Sequence, residues 1–141
     1  MKDYTLLVDV WEGEPVLDYA TLKANGVPGV IIRLNDMNGG HHADRNFAPQ
    51  WEAAGAAGMA RAIYFVYNPW VTGAINFDWL YQHLPIDAGR IFVDIEVTYP
   101  GYSQSTYAAQ VAAFMNDLYQ ASIPATIYTG EWFLATLSSW P

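Results

Sequence analysis

The chain has 141 residues, of which 52% are hydrophobic and 14% charged, which excludes the composition of a disordered protein and suffices for one domain with a real core. Six basic against fourteen acidic residues give a formal charge of −8; that field repels a phosphate backbone, so nucleic acid is not an expected partner. Cysteine is absent, which removes disulfides and thiolate zinc sites. No window approaches the roughly 18 uninterrupted apolar residues of a membrane span, and no membrane partner is expected. The start, Met1 to Asp9, lacks a long apolar signal-peptide core and reads as mature protein.

Tyr4 to Val10 is an apolar run broken by Asp9 and followed by a Gly- and Pro-containing turn, Trp11 to Pro15, the pattern of a buried strand. Asp18 caps a helix that runs to about Asn25-Gly26, where glycine supplies the left-handed stop. Val30 to Leu34 is a β-branched second strand, ended by a loop from Asn35 to His42. Asp44 to Ala57 places Phe47, Trp51 and Ala54 at helical spacing and stops at Gly58. Ala62 to Tyr67 is a third strand, Phe77 to His83 a weaker third helix, and Ile91 to Val97 a fourth strand. A long helix follows from Ser103 to about Ala121, then a fifth strand, Ala125 to Tyr128, and a fifth helix, Glu131 to Ser138.

Five strand-helix units with strands apolar on both faces predict an α/β protein with a parallel sheet covered by helices. No Gly-rich phosphate loop follows the first strand, and polar residues gather at the C-terminal ends of strands one, two and four. A barrel is therefore preferred to a dinucleotide-binding sheet. Eight-stranded barrels usually need at least about 200 residues. The chain is accordingly expected to be one domain, residues 1–141, holding the first five units of a barrel left incomplete at its C-terminus. Its edge strands would be filled by self-association or by a missing C-terminal segment.

The most informative stretch is Asp94-Ile95-Glu96. Side chains two apart in a strand share a face, so both carboxylates project into one space, and like charges there should separate their pKa values into an acid and a base. Asp9, ending the first strand, could join them. The same pattern also serves as a turn or capping carboxylate, and clustered carboxylates suit Mg²⁺ or Ca²⁺, though no Asp-rich loop supports a metal here. Tyr64, Tyr99, Tyr128, Trp70 and Trp132 lie at or just after strand ends, where they either wall a sugar groove or simply pack. Arg33 either pairs with Asp9 or Glu96 or forms an ordinary salt bridge. His41 and His42, in a polar loop, are expected to be solvated and not metal ligands.

Several segments in order resemble the family 25 glycoside hydrolases, the lysozymes or N-acetylmuramidases found among phage endolysins and secreted enzymes. They are Val8-Asp9-Val10 with Trp11-Glu12-Gly13, Leu17-Asp18-Tyr19, Val30 to Arg33, Asp44 to Phe47, Ala57-Gly58-Met59 with Ile63-Tyr64-Phe65, Asp94-Ile95-Glu96, and Pro124 to Gly130. Phe65 stands where the family usually has His. The resemblance implies a modified barrel of five β/α units and three further strands, of which this chain would hold the first part. It also implies cleavage of the β-1,4 bond between N-acetylmuramic acid and N-acetylglucosamine in peptidoglycan, with no cofactor or metal and with the glycan strand of the cell wall as partner. Glu96 would be the acid, Asp94 would stabilise positive charge or orient the 2-acetamido group, and Asp9 would assist; Tyr64, Tyr128, Arg33, Tyr99 and Trp132 would bind the glycan. Two other readings compete: a weak or inactive glycan-binding or structural module on the same fold, and a chitinase-like barrel with its own strand-borne Asp-x-Glu.

Overall fold

Five strands lie side by side in one parallel sheet, and their order across it is their order along the chain. The computed structural model describes residues 7–37 and 40–134. Its elements are β1 (Leu7–Val10), α1 (Tyr19–Ala24), β2 (Gly29–Arg33), β3 (Asn35–Asp36), β4 (His42–Ala43), α2 (Phe47–Ala56), β5 (Ala60–Val66), α3 (Gly73–His83), β6 (Ile91–Asp94), α4 (Gln104–Gln120), β7 (Ala125–Tyr128) and α5 (Glu131–Leu134). The sheet order is β1-β2-β5-β6-β7. Each crossover moves one place onward in the same direction, and right-handed connections of that kind put the helices on one face. A doubly wound sheet needs a reversal of strand order, which these five strands lack. Among the described residues β1 pairs only with β2 and β7 only with β6, so the sheet is open and not a closed ring.

Register sorts the strand residues into two faces. Ile32 of β2 aligns with Ile63 of β5 and that with Ile91 of β6, while Phe65 aligns with Val93; these residues, with Val30, Leu34, Tyr67 and Ile95 on the same face, are buried under the helices. The alternate residues, Arg33, Tyr64, Phe92 and Asp94 among them, are half-buried on the opposite face. α4 closes the helical layer with Tyr107, Ala108, Val111, Phe114 and Leu118, a stripe at helical spacing. At Gly73 the backbones of α3 and α4 approach closely: a Cβ there would lie 2.3 Å from the carbonyl oxygen of Gln110, so only glycine fits.

Local chemistry sets the helix ends. Asp18 caps α1 by accepting from the Thr21 amide at 3.0 Å, and Gly58, at φ 66°, turns the chain out of α2 into β5. α3 begins at Gly73, capped by Thr72, four residues before the expected start. Its buried stripe opens with Gly73 and Asn76, so the apolar periodicity becomes visible only further on. β6 ends at Asp94 and not Val97, because its neighbours β5 and β7 have ended at Val66 and Tyr128 and leave the backbone of Glu96 no ladder to join. The stretch from Asn35 to His42, expected as loop, contains an antiparallel pairing of Asn35 with Ala43 and Asp36 with His42. Residues 4–6 of the expected first strand and 135–138 of the expected fifth helix lie outside the described residues. No helix among the described residues is long and apolar enough to cross a membrane.

Candidate active site

On the uncovered face, at the C-terminal end of the strands, Asp94 and Glu96 line one cleft of about 240 Å³ together with Arg33, Asp36, Met37, Tyr64 and Tyr67. Although β6 has ended, the alternation persists: Ile95 is buried and its amide donates to the Tyr128 carbonyl at 3.0 Å, while Asp94 and Glu96 flank it half-buried. The backbone around Glu96 is tethered on both sides. The Thr129 hydroxyl donates to the Ile95 carbonyl at 2.6 Å and the Tyr107 hydroxyl to the Val97 carbonyl at 3.0 Å, so Glu96 extends from a segment held at both neighbours.

Asp94 sits in an environment that disfavours its charged form. Burial pushes its pKa up to about 6, and the charge of Glu96 adds to the rise. Asp94 Oδ1 is buried with no hydrogen-bond partner among the described residues, as is the Tyr67 hydroxyl. Burial also raises the Tyr64 hydroxyl well above its ordinary range; Arg33 opposes this, and Asp9, Asp44 and Asp94 reinforce it. Tyr64 is therefore a protonated donor within the electrostatic reach of both Asp9 and Asp94.

The remaining sequence-derived residues are distributed unevenly. Asp9 lies exposed on β1, on the same face but outside the lining of the cleft. Arg33 lines the cleft, yet it pairs with neither Asp9 nor Glu96. Its Nε donates to Asp44 Oδ2 at 2.7 Å, its Nη2 lies 3.7 Å from Glu12 Oε1, and its guanidinium sits 5.0 Å from the Trp11 ring centre. Asp44 is nearly fully buried beside it, and a buried carboxylate is the stronger competitor for a guanidinium. Tyr128 stands opposite Asp94 in register and is 60% exposed. Trp132 is exposed on α5, edge-on to Phe133. Tyr99 belongs to a second cleft of about 250 Å³ with Tyr102 and Tyr107, its ring 6.2 Å from that of the exposed Trp70. His42 is exposed as expected, but His41 is half-buried among Phe65, Trp79 and two asparagines. The polar loop composition concealed its apolar neighbours, which come from β5 and α3.

Sequence reasoning missed Asp36, Met37, Tyr67, Tyr107 and Thr129. Asp36 had a visible signal: it follows the second strand at the same sheet end as Asp94. The tethers from Tyr107 and Thr129 had none, because each joins residues brought together by separate elements. Among the described residues no group of three His, Asp or Glu side chains is placed to hold a metal ion.

The sequence matches the family described as Glycosyl hydrolases family 25 over residues 8–139. No curated protein matches it significantly. The fold is similar to that of a muramidase from Trichobolus zukalii, with TM-score 0.75, 21% identity, and coverage of 90% of this chain and 66% of that one. It is also similar to a family 25 glycosyl hydrolase from Bacillus anthracis, with TM-score 0.78, 14% identity, and coverage of 95% and 65%. A third similar fold is that of a bacterial lysozyme from Streptomyces coelicolor, with TM-score 0.78, 19% identity, and coverage of 92% and 64%. The chain thus spans just under two thirds of the length of each of these structures.

Proposed function

The chain belongs to the glycosyl hydrolases of family 25, and from that premise we propose that it is a lysozyme-type muramidase. The reaction is hydrolysis of the β-1,4 bond between N-acetylmuramic acid and N-acetylglucosamine in peptidoglycan. The observation that carries this reading is the shared cleft of Asp94 and Glu96 on the uncovered sheet face, with Tyr64 as a donor beside them.

In this mechanism Glu96 protonates the leaving glycosidic oxygen, and Asp94 stabilises the positive charge that develops at the anomeric carbon or orients the 2-acetamido group. In the free cleft burial and the Glu96 charge drive the pKa of Asp94 up to about 6. Positive charge growing next to Asp94 favours its ionised form, the form that stabilises that charge. Asp9 assists from β1, two strands away from Tyr64 in the sheet, acting through the field that reaches Tyr64. Tyr64, Tyr128, Arg33, Tyr99 and Trp132 form the glycan-binding walls, the exposed rings of Tyr128 and Trp132 offering stacking surfaces. Residues 1–141 act as one catalytic domain, and its sheet is a segment of a barrel-type winding. Sequential strand order, helices on one face and carboxylates at the C-terminal strand ends all support that winding.

A second reading, a glycan-binding module without turnover, is favoured by one observation: Asp9 lies outside the cleft lining. Clearing of a bacterial cell-wall suspension separates the two. Hydrolysis predicts clearing that Glu96→Gln abolishes. Binding alone predicts retention on walls without clearing, and clearing unchanged by the substitution removes Glu96 from its role.

A further inference from the structure

His41 takes no part in the chemistry above, yet it is the centre of a buried polar network whose hydrogen-bond directions are all determined. Asn35, fully buried, accepts from the Val66 amide at its Oδ1, 2.9 Å, and donates from Nδ2 to the Val66 carbonyl, 2.9 Å. That double bond fixes the orientation of the amide. Its remaining Nδ2 proton faces His41 Nδ1 at 3.0 Å, so Nδ1 must be an acceptor. On the other side Asn76, also fully buried, accepts from the Asn68 amide at its Oδ1, 2.9 Å. Both Nδ2 protons of Asn76 go to the carbonyls of Asn68 and Thr72, at 2.9 and 3.0 Å. His41 Nε2 lies 3.0 Å from that same Oδ1, so Nε2 must be a donor. Two independent constraints give the same result: a neutral imidazole with its proton on Nε2.

The ring is stacked 5.0 Å from Trp79 and lies 5.2 Å from Phe65. It therefore joins three elements: β3 through Asn35, α3 through Asn76 and Trp79, and β5 through Phe65. β3 contains Asp36 and leads directly to Met37, both of which line the carboxylate cleft, and Val66, clasped by Asn35, is the register partner of Asp94.

We propose that His41 is a positioning residue: as a neutral ring it locks the β3–β4 hairpin onto β5 and α3 and so holds Asp36 and Met37 in the wall of the carboxylate cleft. Protonation would set an Nδ1–H against the Asn35 amide protons, and Asn35 cannot turn over without losing both bonds to Val66. The clamp therefore opens in acid. The ionisable groups acting on the ring are His42 from its own hairpin and His83 from α3; both oppose its protonation, and burial opposes it more strongly. The functional consequence rests on the muramidase reading, whereas the clamp itself does not.

The test uses the whole chain. Nitrogen NMR of the unmodified protein at pH 7 should show His41 with a bare Nδ1 and a protonated Nε2; a charged ring or the opposite tautomer overturns the proposal. Hydrogen exchange of the Val66 amide should quicken roughly tenfold or more in His41→Phe, which keeps the ring stack and loses both bonds, and should be partly restored in His41→Asn, which can again accept from Asn35. On cell walls, His41→Phe should raise KM roughly tenfold with kcat within about twofold, and should lose the acid-side rise in KM of the unmodified enzyme. Faster exchange with an unchanged KM would reduce His41 to a structural clamp and overturn the positioning role. If the unmodified chain clears no walls, the muramidase reading fails, and the NMR and exchange results still decide the clamp.

Discussion

The two faces of the sheet are built from the same strands and are opposite in character. On the helix-covered face Ile32, Ile63, Phe65, Ile91, Val93 and Ile95 are at most 1% exposed. One residue away along the same backbone, Arg33, Tyr64, Asp94 and Glu96 sit half-buried around a cleft. The period-two alternation of a strand lets one segment serve packing and chemistry without mixing them. In Ile91 to Glu96 every odd position is core and every even position from Phe92 on faces the cleft side. Substitutions on the first face should therefore cost stability. Those on the second should cost activity, and some should increase stability, because the cleft keeps a carboxyl in a poorly solvated position.

The sharpest division should come from Glu96→Gln. We expect wall clearing to fall about 10³-fold, equivalent to roughly 4 kcal/mol of transition-state stabilisation, with little change in melting temperature. Phe114→Ala, on the covered side, should destabilise the fold by about 4 kcal/mol in denaturant titration, since a buried aromatic leaves a cavity that α4 cannot close. Equal loss of stability in both variants would dissolve the contrast between the faces.

Asp94→Asn tests the cost of the cleft. The folded carboxyl titrates at about 6 against an ordinary value of 3.8. Between those values the folded chain keeps a proton that the unfolded chain has released, so stability declines as pH rises through that window. The substitution should thus stabilise the protein by about 1–2 kcal/mol at pH 7, solvent screening taking up part of the shift, and by little at pH 4, while lowering clearing activity. A melting temperature equally affected at both pH values would contradict the assignment. His41 runs in the other direction: its pKa is lowered by burial, so its contribution is present above its ordinary value of 6.5 and lost as pH falls. The smallest effect is expected from Tyr67→Phe, which removes a buried hydroxyl without a partner among the described residues and should raise stability by about 1 kcal/mol in thermal melts. A loss of that size would mean that the hydroxyl is satisfied in solution.

The α/β class, the strand succession and the Asp94–Glu96 pair were legible in the sequence because each depends on neighbours a few positions apart: apolar runs, caps such as Asp18, stops such as Gly26 and Gly58, and alternation along one strand. Asp94 and Glu96 reach a common cleft for that local reason, even though β6 ends sooner than its apolar run. Everything that required a partner from a distant segment was hidden. Arg33 could be read as a cation near carboxylates, but the choice of Asp44 over Asp9 or Glu96 depends on how the turn at Glu12 and the approach to α2 fold over it. His41 looked like a loop residue because its stacking partners lie 24 and 38 positions further along the chain. Local pattern governs which way a side chain leaves the backbone; what it meets there is governed by long-range packing, which composition and spacing do not encode.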